Sequence, residues 1–331
     1  MSTAPAESRA GHVRLMGALA VAAVAAFALS LAVGPSGLGI EADGEARALI
    51  FWEIRLPRAV LGALAGASLG LSGAALQGYL RNPLAEPSLV GISGGAALGA
   101  VLAIHIGLAQ VLALALPLGG LAGAAVAMTA VMALAGAGGG PVTLILAGLA
   151  VSSIAAALVS LALNLSQNPF ASVEMVYWMM GSLADRSLTQ VWLAAPLMLL
   201  GIGLLLMAAR ALDALSLGED AAASLGIDLA GTRLLVVAGT ALGVGAATAV
   251  TGIIGFVGLI VPHVLRPFAH HRPGLLLPAS LLGGAIMLLV ADVGLRLLQP
   301  WMELRIGVLT ALIGAPFFVW LVLHTRSELA P

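Results

Sequence analysis

The 331-residue sequence contains no cysteine and no lysine, and these two absences exclude several kinds of chemistry. Without cysteine there are no disulfides, no thiolate metal sites and no cysteine nucleophile. All 14 basic residues are arginine, so the chain lacks the lysine that a Walker A loop places on nucleotide phosphates and the lysine amine of a Schiff-base enzyme. If ATP drives this protein, a separate chain must hydrolyse it, and we expect this chain to be non-catalytic.

Charge is also scarce. Only 9% of the residues are charged, against about 25% in soluble proteins. The net charge of −1 provides no basic surface, which argues against nucleic acid as a partner. In contrast, 61% of the residues are hydrophobic and the mean hydropathy is +1.10. The composition therefore predicts an integral membrane protein surrounded by lipid.

Apolar stretches of about 20 residues predict the membrane spans. Ten are predicted, at about 15–33, 58–79, 89–108, 111–134, 142–165, 190–209, 233–251, 253–266, 274–291 and 306–323. The first is either a retained helix or a cleaved signal peptide, and its length favours the helix. Residues 89–134 could instead form one kinked helix, and Thr251-Gly252 is the expected break within 232–266. Ten spans place both termini on one side, which Arg14 and Arg326 identify as cytoplasmic.

Glycines recur at four-residue spacing, as in Gly66/Gly70, Gly95/Gly99 and Gly119/Gly123. Small residues on one helix face allow close packing of helices in lipid, although a glycine-rich chain also produces such spacings by chance. The segments 66–70 and 239–243 are similar to each other, in the second and seventh spans. This similarity indicates two inverted five-helix halves.

One polar segment interrupts the spans at about 211–231. Glu219 and Asp220 open a short alanine-rich run that Gly226 closes, and this pattern predicts a short capped helix. Two further motifs lie at the ends of the second span: Arg55-Leu56-Pro57-Arg58 and Asn82-Pro83-Leu84-Ala85-Glu86-Pro87.

From about residue 50 onward, these motifs resemble those of the FecCD-type permeases of ABC importers for ferric siderophores, haem and cobalamin. The resemblance implies an all-α integral membrane protein with one domain over residues 1–331, placed in a bacterial inner membrane. It implies a homodimer that forms the translocation pathway, with two ATPase subunits and a periplasmic substrate-binding protein, and no cofactor or metal. Ferric siderophores are the expected cargo because such systems are the most numerous; haem and cobalamin are alternatives.

The resemblance also implies roles for particular residues. The ATPase-coupling residues would be Leu217, Gly218, Glu219, Asp220, Ala223, Leu225 and Gly226. The residues that dock the binding protein would be Arg55, Arg58 and Arg296, and the cytoplasmic gate would contain Asn82, Pro83 and Leu84. The chain departs from the family at Asp213, where asparagine is frequent, and in having only alanines where the coupling segment often has arginine.

Two other functions compete with this interpretation. Gly91-Ile92-Ser93-Gly94-Gly95 fits the Gly-x-Ser-x-Gly pattern of serine hydrolases, with His263 as a candidate base. That pattern requires a strand-to-helix turn, which an all-helical chain does not provide. A proton-coupled secondary transporter would need an intramembrane carboxylate, and Asp292 is the candidate. The simplest expectation for Asp292 is an ion pair with Arg296, one helical turn away.

Overall fold

The fold is a bundle of helices, described here from a computed structural model. The structure describes residues 4–34, 37–39, 43–136, 139–299 and 301–329, without the side chains of residues 4–10 and 325–329. The side chain of Arg326 therefore lies outside the described part. The helices are α1 (Ala4–Ala32), α2 (Gly44–Leu49), a π-helix (Ile50–Arg55), α3 (Leu56–Leu80), a 3-10 helix (Pro87–Val90), α4 (Ile92–His105), α5 (Leu108–Val111), α6 (Ala115–Ala135), α7 (Pro141–Leu165), α8 (Pro169–Met179), α9 (Leu188–Met207), α10 (Ala209–Leu215), α11 (Glu219–Ser224), α12 (Leu229–Thr251), α13 (Val257–Leu265), α14 (Pro273–Leu298) and α15 (Ile306–Leu329). Two short strands, β1 (Val33–Gly34) and β2 (Gly37–Leu38), pair antiparallel after α1.

Among the described residues, eight helices are long and apolar enough to cross a membrane. They correspond to eight of the ten predicted spans. The other two predicted spans contain the shorter helices α4, of 14 residues, and α13, of nine residues. Both begin late because the preceding residues, Gly91 and Phe256, have positive φ values of 79° and 66°. Residues 89–134 form two long helices, α4 and α6, joined by the four-residue helix α5, and not one kinked helix. The predicted break at Thr251-Gly252 is confirmed, since α12 ends at Thr251.

Helices α3 and α12 form the centre of the bundle. They contain the two similar glycine segments, and their apolar windows are the most deeply buried of the eight candidate spans. Helix α14 packs antiparallel along α3: a Cβ on Gly66 or Gly70 would overlap the backbone of α14 at Gly284 or Ser280. Helices α4 and α6 contact each other through glycines in the same manner. The glycine spacing therefore reflects close packing of helix backbones.

The bundle has two polar ends. We call the end that contains Arg55, Arg58, Asp292 and Arg296 the arginine end. We call the opposite end, which contains residues 82–87 and α11, the coupling end. Because α3 runs from one to the other, the two motifs that flank the second predicted span lie at opposite ends of the bundle.

Candidate functional sites

The polar segment between α9 and α12 contains the predicted short capped helix. Helix α11 spans Glu219–Ser224, with Glu219 and Asp220 in its first turn. Gly218 precedes it at φ 108° and Gly226 follows it at φ 80°, a conformation that a residue with a side chain rarely adopts. The carboxylates at its start face the positive end of the helix dipole, which favours this placement.

Helix α11 attaches to the bundle by one face and presents the other outward. Ala222 is fully buried, whereas Asp220 and Ala223 are exposed. Leu217 and Leu225, which flank the helix, are 69% and 65% exposed. Both residues lie outside the apolar spans, so their exposed side chains are free to contact another protein at the coupling end. The assignment of these residues to ATPase coupling remains a prediction.

An ion pair connects α11 to the end of α3. Arg81 Nη2 lies 3.2 Å from Glu219 Oε1, and both side chains are nearly half exposed. A pair this exposed contributes about 0–1 kcal/mol to stability, so its importance lies in its position. Arg81 caps α3 in a left-handed conformation, φ 49°, and directly precedes Asn82. No sequence motif had marked Arg81 as a site residue.

A second connection joins the segment to α14. The backbone N–H of Gly274 donates to Asp213 Oδ1 at 2.7 Å, and Arg272 lies 3.8 Å from Asp213 Oδ2. Gly274 is in the first turn of α14, where backbone N–H groups lack partners within the helix. An asparagine oxygen would accept the same hydrogen bond, so the departure from the family at Asp213 preserves this contact.

The predicted gate residues form a tight turn after α3. The side-chain oxygen of Asn82 accepts a hydrogen bond from the Leu84 N–H at 2.9 Å, and the main-chain carbonyl of Asn82 accepts one from the Ala85 N–H at 3.1 Å. Asparagine is favoured in such turns because its side chain substitutes for a backbone acceptor. Asn82, Pro83 and Leu84 are all partly exposed. The structure thus gives Asn82 a role in shaping the turn, and the role of the turn as a gate remains a prediction.

At the arginine end, the guanidinium groups point into the chain. Arg55 is buried, and its Nη1 donates to the carbonyls of Leu31 at 2.8 Å and Ala32 at 2.7 Å. Its Nη2 donates to the carbonyl of Gly39. The last carbonyls of a helix have no partner within it, so Arg55 caps the C-terminal end of α1.

Arg58 and Arg296 share one buried carboxylate. Asp292, which is 1% exposed, accepts from Arg58 Nε and Nη2 at 2.8–3.1 Å and from Arg296 Nε and Nη2 at 3.0 and 2.6 Å. The expected Asp292–Arg296 pair is therefore present, and Arg58 is an additional partner. Arg296 Nη1 also donates to the carbonyls of Ser30 and Val33 at 2.7 and 2.8 Å.

These internal bonds bear on the docking prediction for Arg55, Arg58 and Arg296. To bind carboxylates of another protein, each guanidinium would have to exchange a partner within the chain. Two further arginines at this end also contact their own chain: Arg186 donates to the Ser182 carbonyl, and Arg305 lies 5.2 Å from the centre of the Tyr177 ring. Burial lowers the pKa of Arg186, and neighbouring Asp185 opposes this shift.

The geometry provides no support for the two competing functions. Ser93 is the second residue of α4, within a helix rather than at a strand-to-helix turn. The ring of His263 packs against Phe317 and Trp320. Asp292 is already paired with two arginines of its own chain, Arg58 and Arg296. Within the described ranges, no group of three or more His, Cys, Asp and Glu side chains could hold a metal ion.

The chain is similar to known membrane transport proteins over nearly its whole length. The profile of the FecCD transport family matches residues 16–324. The chain belongs to the FecCD transport family. Curated relatives include the vitamin B12 import system permease protein BtuC of Citrobacter koseri, 38% identical over 98% of this chain and 99% of the relative. The corresponding protein of Salmonella paratyphi A is 39% identical with the same coverage.

A solved structure agrees with this assignment. A metal-chelate type ABC transporter in an inward-facing conformation has a TM-score of 0.85 and 33% identity, over 94% of this chain and 99% of that one. This FecCD protein is therefore an integral membrane permease with the fold of type II ABC importers. The family implies an ATPase partner and a substrate-binding protein.

Proposed function

We propose that this FecCD permease forms, as a homodimer, the translocation pathway of an ATP-driven importer for a metal chelate. Two copies of a separate ATPase subunit would bind at the coupling end, and one periplasmic binding protein would bind at the arginine end. The observation that carries the proposal is the Arg81–Glu219 ion pair. It joins α11, which is flanked by the exposed Leu217 and Leu225, to Arg81, the residue that directly precedes the Asn82 turn.

The proposed cycle is a shift between two populations of the bundle. ATP binding closes the ATPase pair and moves α11, and the turn at residues 82–87 acts as the cytoplasmic gate. A partner can shift such an equilibrium only by its difference in affinity for the two states. Under this proposal both termini are cytoplasmic, the arginine end faces the periplasm, and the chain lies in a bacterial inner membrane.

For the cargo, the relatives favour a corrinoid. BtuC proteins at 38–39% identity over nearly the whole chain are vitamin B12 permeases, whereas ferric siderophores were expected only because such systems are the most numerous. The solved transporter at 33% identity is of the metal-chelate type, without a named metal, so an iron chelate stays the second candidate. We therefore propose cobalamin as the first cargo to test, with a ferric siderophore and haem as competitors.

The test is transport by the reconstituted complex. The chain is co-purified with its ATPase subunit and placed in proteoliposomes with the binding protein, and uptake of labelled cyanocobalamin, a ferric siderophore and haem is measured. We expect ATP-dependent uptake of cobalamin that stops when the ATPase is inactivated by substitution of its own catalytic residue. Uptake of the siderophore alone would identify the siderophore as the cargo in place of cobalamin. A chain that binds no ATPase would contradict the proposal.

A further inference from the structure

One buried polar side chain at the coupling end is not explained by the roles discussed so far. Gln77 lies in the apolar span α3 and is 3% exposed. Burying an amide away from water is unfavourable unless its hydrogen-bonding groups find partners. The partners of Gln77 therefore indicate what the residue does.

The side chain of Gln77 bonds three separate parts of the chain. Its Nε2 donates to the carbonyl of Ala85 at 3.2 Å and to the carbonyl of Gly258 at 3.3 Å. Its Oε1 accepts from Arg266 Nη2. Two carbonyls can only accept and a guanidinium can only donate, so the partners determine the orientation of the amide. The main-chain carbonyl of Gln77 also accepts from the Asn82 N–H, at 3.2 Å.

Glycine packing brings these parts together. A Cβ on Gly73, one helical turn before Gln77, would overlap the backbone of Gly258 in α13. A Cβ on Gly258 would in turn lie 2.6 Å from Pro87 Cδ, at the end of the turn. Helix α3, residues 82–87 and α13 therefore meet at one point. Gln77 supplies the hydrogen bonds between them.

A cavity of about 240 Å³ opens beside this junction. Its lining includes Gln77, Arg81, Pro83 and Arg266. The turn therefore borders free volume at Pro83, next to the side chain that bonds it. A displacement of Arg81 by its partner Glu219 would reach the turn next to this space.

We propose that Gln77 is the positioning residue of the gate: its amide N–H groups hold the Asn82–Pro87 turn against α13, and Arg266 holds the amide. The description of the turn as a gate rests on the proposed function, whereas the positioning of the turn by Gln77 concerns only the contacts within this chain. Of the bonds that Gln77 makes, the one from its amide to the Ala85 carbonyl reaches the turn, so this bond must stretch or break when α11 moves Arg81 and the turn follows, while the bond to Gly258 keeps the amide fixed on α13.

The absence of cysteine allows a direct test. Leu84→Cys is introduced as a single reporter in the turn, and the full chain with its ATPase subunit is placed in lipid nanodiscs. The rate of reaction with a charged maleimide is measured without ATP. Gln77→Leu removes all three side-chain bonds, whereas Gln77→Glu keeps an acceptor for Arg266 and loses both donors. Ser72→Ala is the matched control, because Ser72 is buried on the same helix and its hydroxyl has no partner among the described residues.

We expect both Gln77 variants to accelerate labelling at position 84 by about fivefold to thirtyfold, the effect of losing one to two net hydrogen bonds. Ser72→Ala should react at the parent rate. If Gln77→Glu reacts like the parent, the donor bonds do not hold the turn and the proposal is overturned. A second reporter, Val191→Cys, is buried at the arginine end. It should stay slow in every variant, and fast labelling there would identify unfolding.

The failure of this inference is distinguishable from failure of the proposed function. If no ATPase binds, the labelling is carried out on the chain alone and still reports whether Gln77 holds the turn. If the ATPase binds and transport occurs but the variants label at the parent rate, only the role of Gln77 is lost.

Discussion

Substituting Asp292 by asparagine should destabilise the bundle strongly. The carboxylate accepts hydrogen bonds from two arginines, and its side chain and that of Arg296 are almost fully buried. Asparagine keeps the shape but removes the charge and places an NH₂ group where a guanidinium now donates. Removing one partner of a buried ion pair costs about 3–5 kcal/mol, because the remaining charge stays buried without compensation. We therefore expect Asp292→Asn to lower the free energy of unfolding by about this amount.

A double-mutant cycle checks the cause. Unfolding of the purified chain is followed by tryptophan fluorescence in mixtures of mild detergent and dodecyl sulfate, for the parent, Asp292→Asn, Arg58→Gln and the double variant. Arg58→Gln leaves Asp292 paired with Arg296, so its own effect should be smaller. The double variant should be about as stable as Asp292→Asn, because Arg58 has already lost its carboxylate partner there. The coupling energy then equals the cost of Arg58→Gln in the parent, for which we expect about 2 kcal/mol or more. Additive effects, or a change below about 1 kcal/mol for Asp292→Asn, would refute the reasoning.

Three other variants test the remaining interpretations. Glu219→Ala combined with Leu225→Ala should abolish stimulation of ATP hydrolysis by the binding protein while the purified permease keeps its thermal stability; normal stimulation would contradict the coupling role. Gly73→Ala places a Cβ into the backbone of α13 and should destabilise the chain by about 1–3 kcal/mol in the same unfolding assay, whereas Gly203→Ala, with open space around it, should have little effect. Arg55→Gln, which removes the charge but keeps a donor for the carbonyls at the end of α1, should weaken binding-protein affinity most at low salt, and an unchanged affinity would leave Arg55 only as a cap of α1.

Much of the fold can be predicted because a bilayer requires long apolar helices. The segments that became α4 and α13 were predicted as spans from hydropathy. The predicted lengths, 89–108 and 253–266, were too long, because hydropathy does not register the positive φ of Gly91 and Phe256 at which the two helices begin. Gly91 is a residue type that adopts this conformation readily, whereas Phe256 carries no such local signal. Helix α8 was missed because 11 residues are too few to register as a span. Its start nonetheless has a local signal, since Asn168 precedes Pro169 and caps the helix through the Phe170 N–H.

The candidate sites also contain features that local sequence signals predict and features that depend on contacts between distant residues. Helix α11 could be predicted because acids at a helix start and a following glycine are local signals. The pairing of Asp292 with Arg296 could be predicted from four-residue spacing. The contact with Arg58, 234 positions away, could not. Gln77 was missed because its partners are backbone carbonyls and an arginine, and no sequence pattern marks which carbonyl a buried amide will reach.

The distribution of close contacts along α3 indicates where the bundle can move. Its middle is packed onto α14 through Gly66 and Gly70, and its start is bonded to α14 through Arg58 and Asp292. Packed backbones at this distance leave little room for sliding, so α3 and α14 should move as one body. Two connections from the α10–α11 segment, at Asp213 and Glu219, reach this body at the start of α14 and the end of α3. A displacement of α11 is therefore absorbed beyond Arg81, in the turn whose position depends on the hydrogen bonds of Gln77.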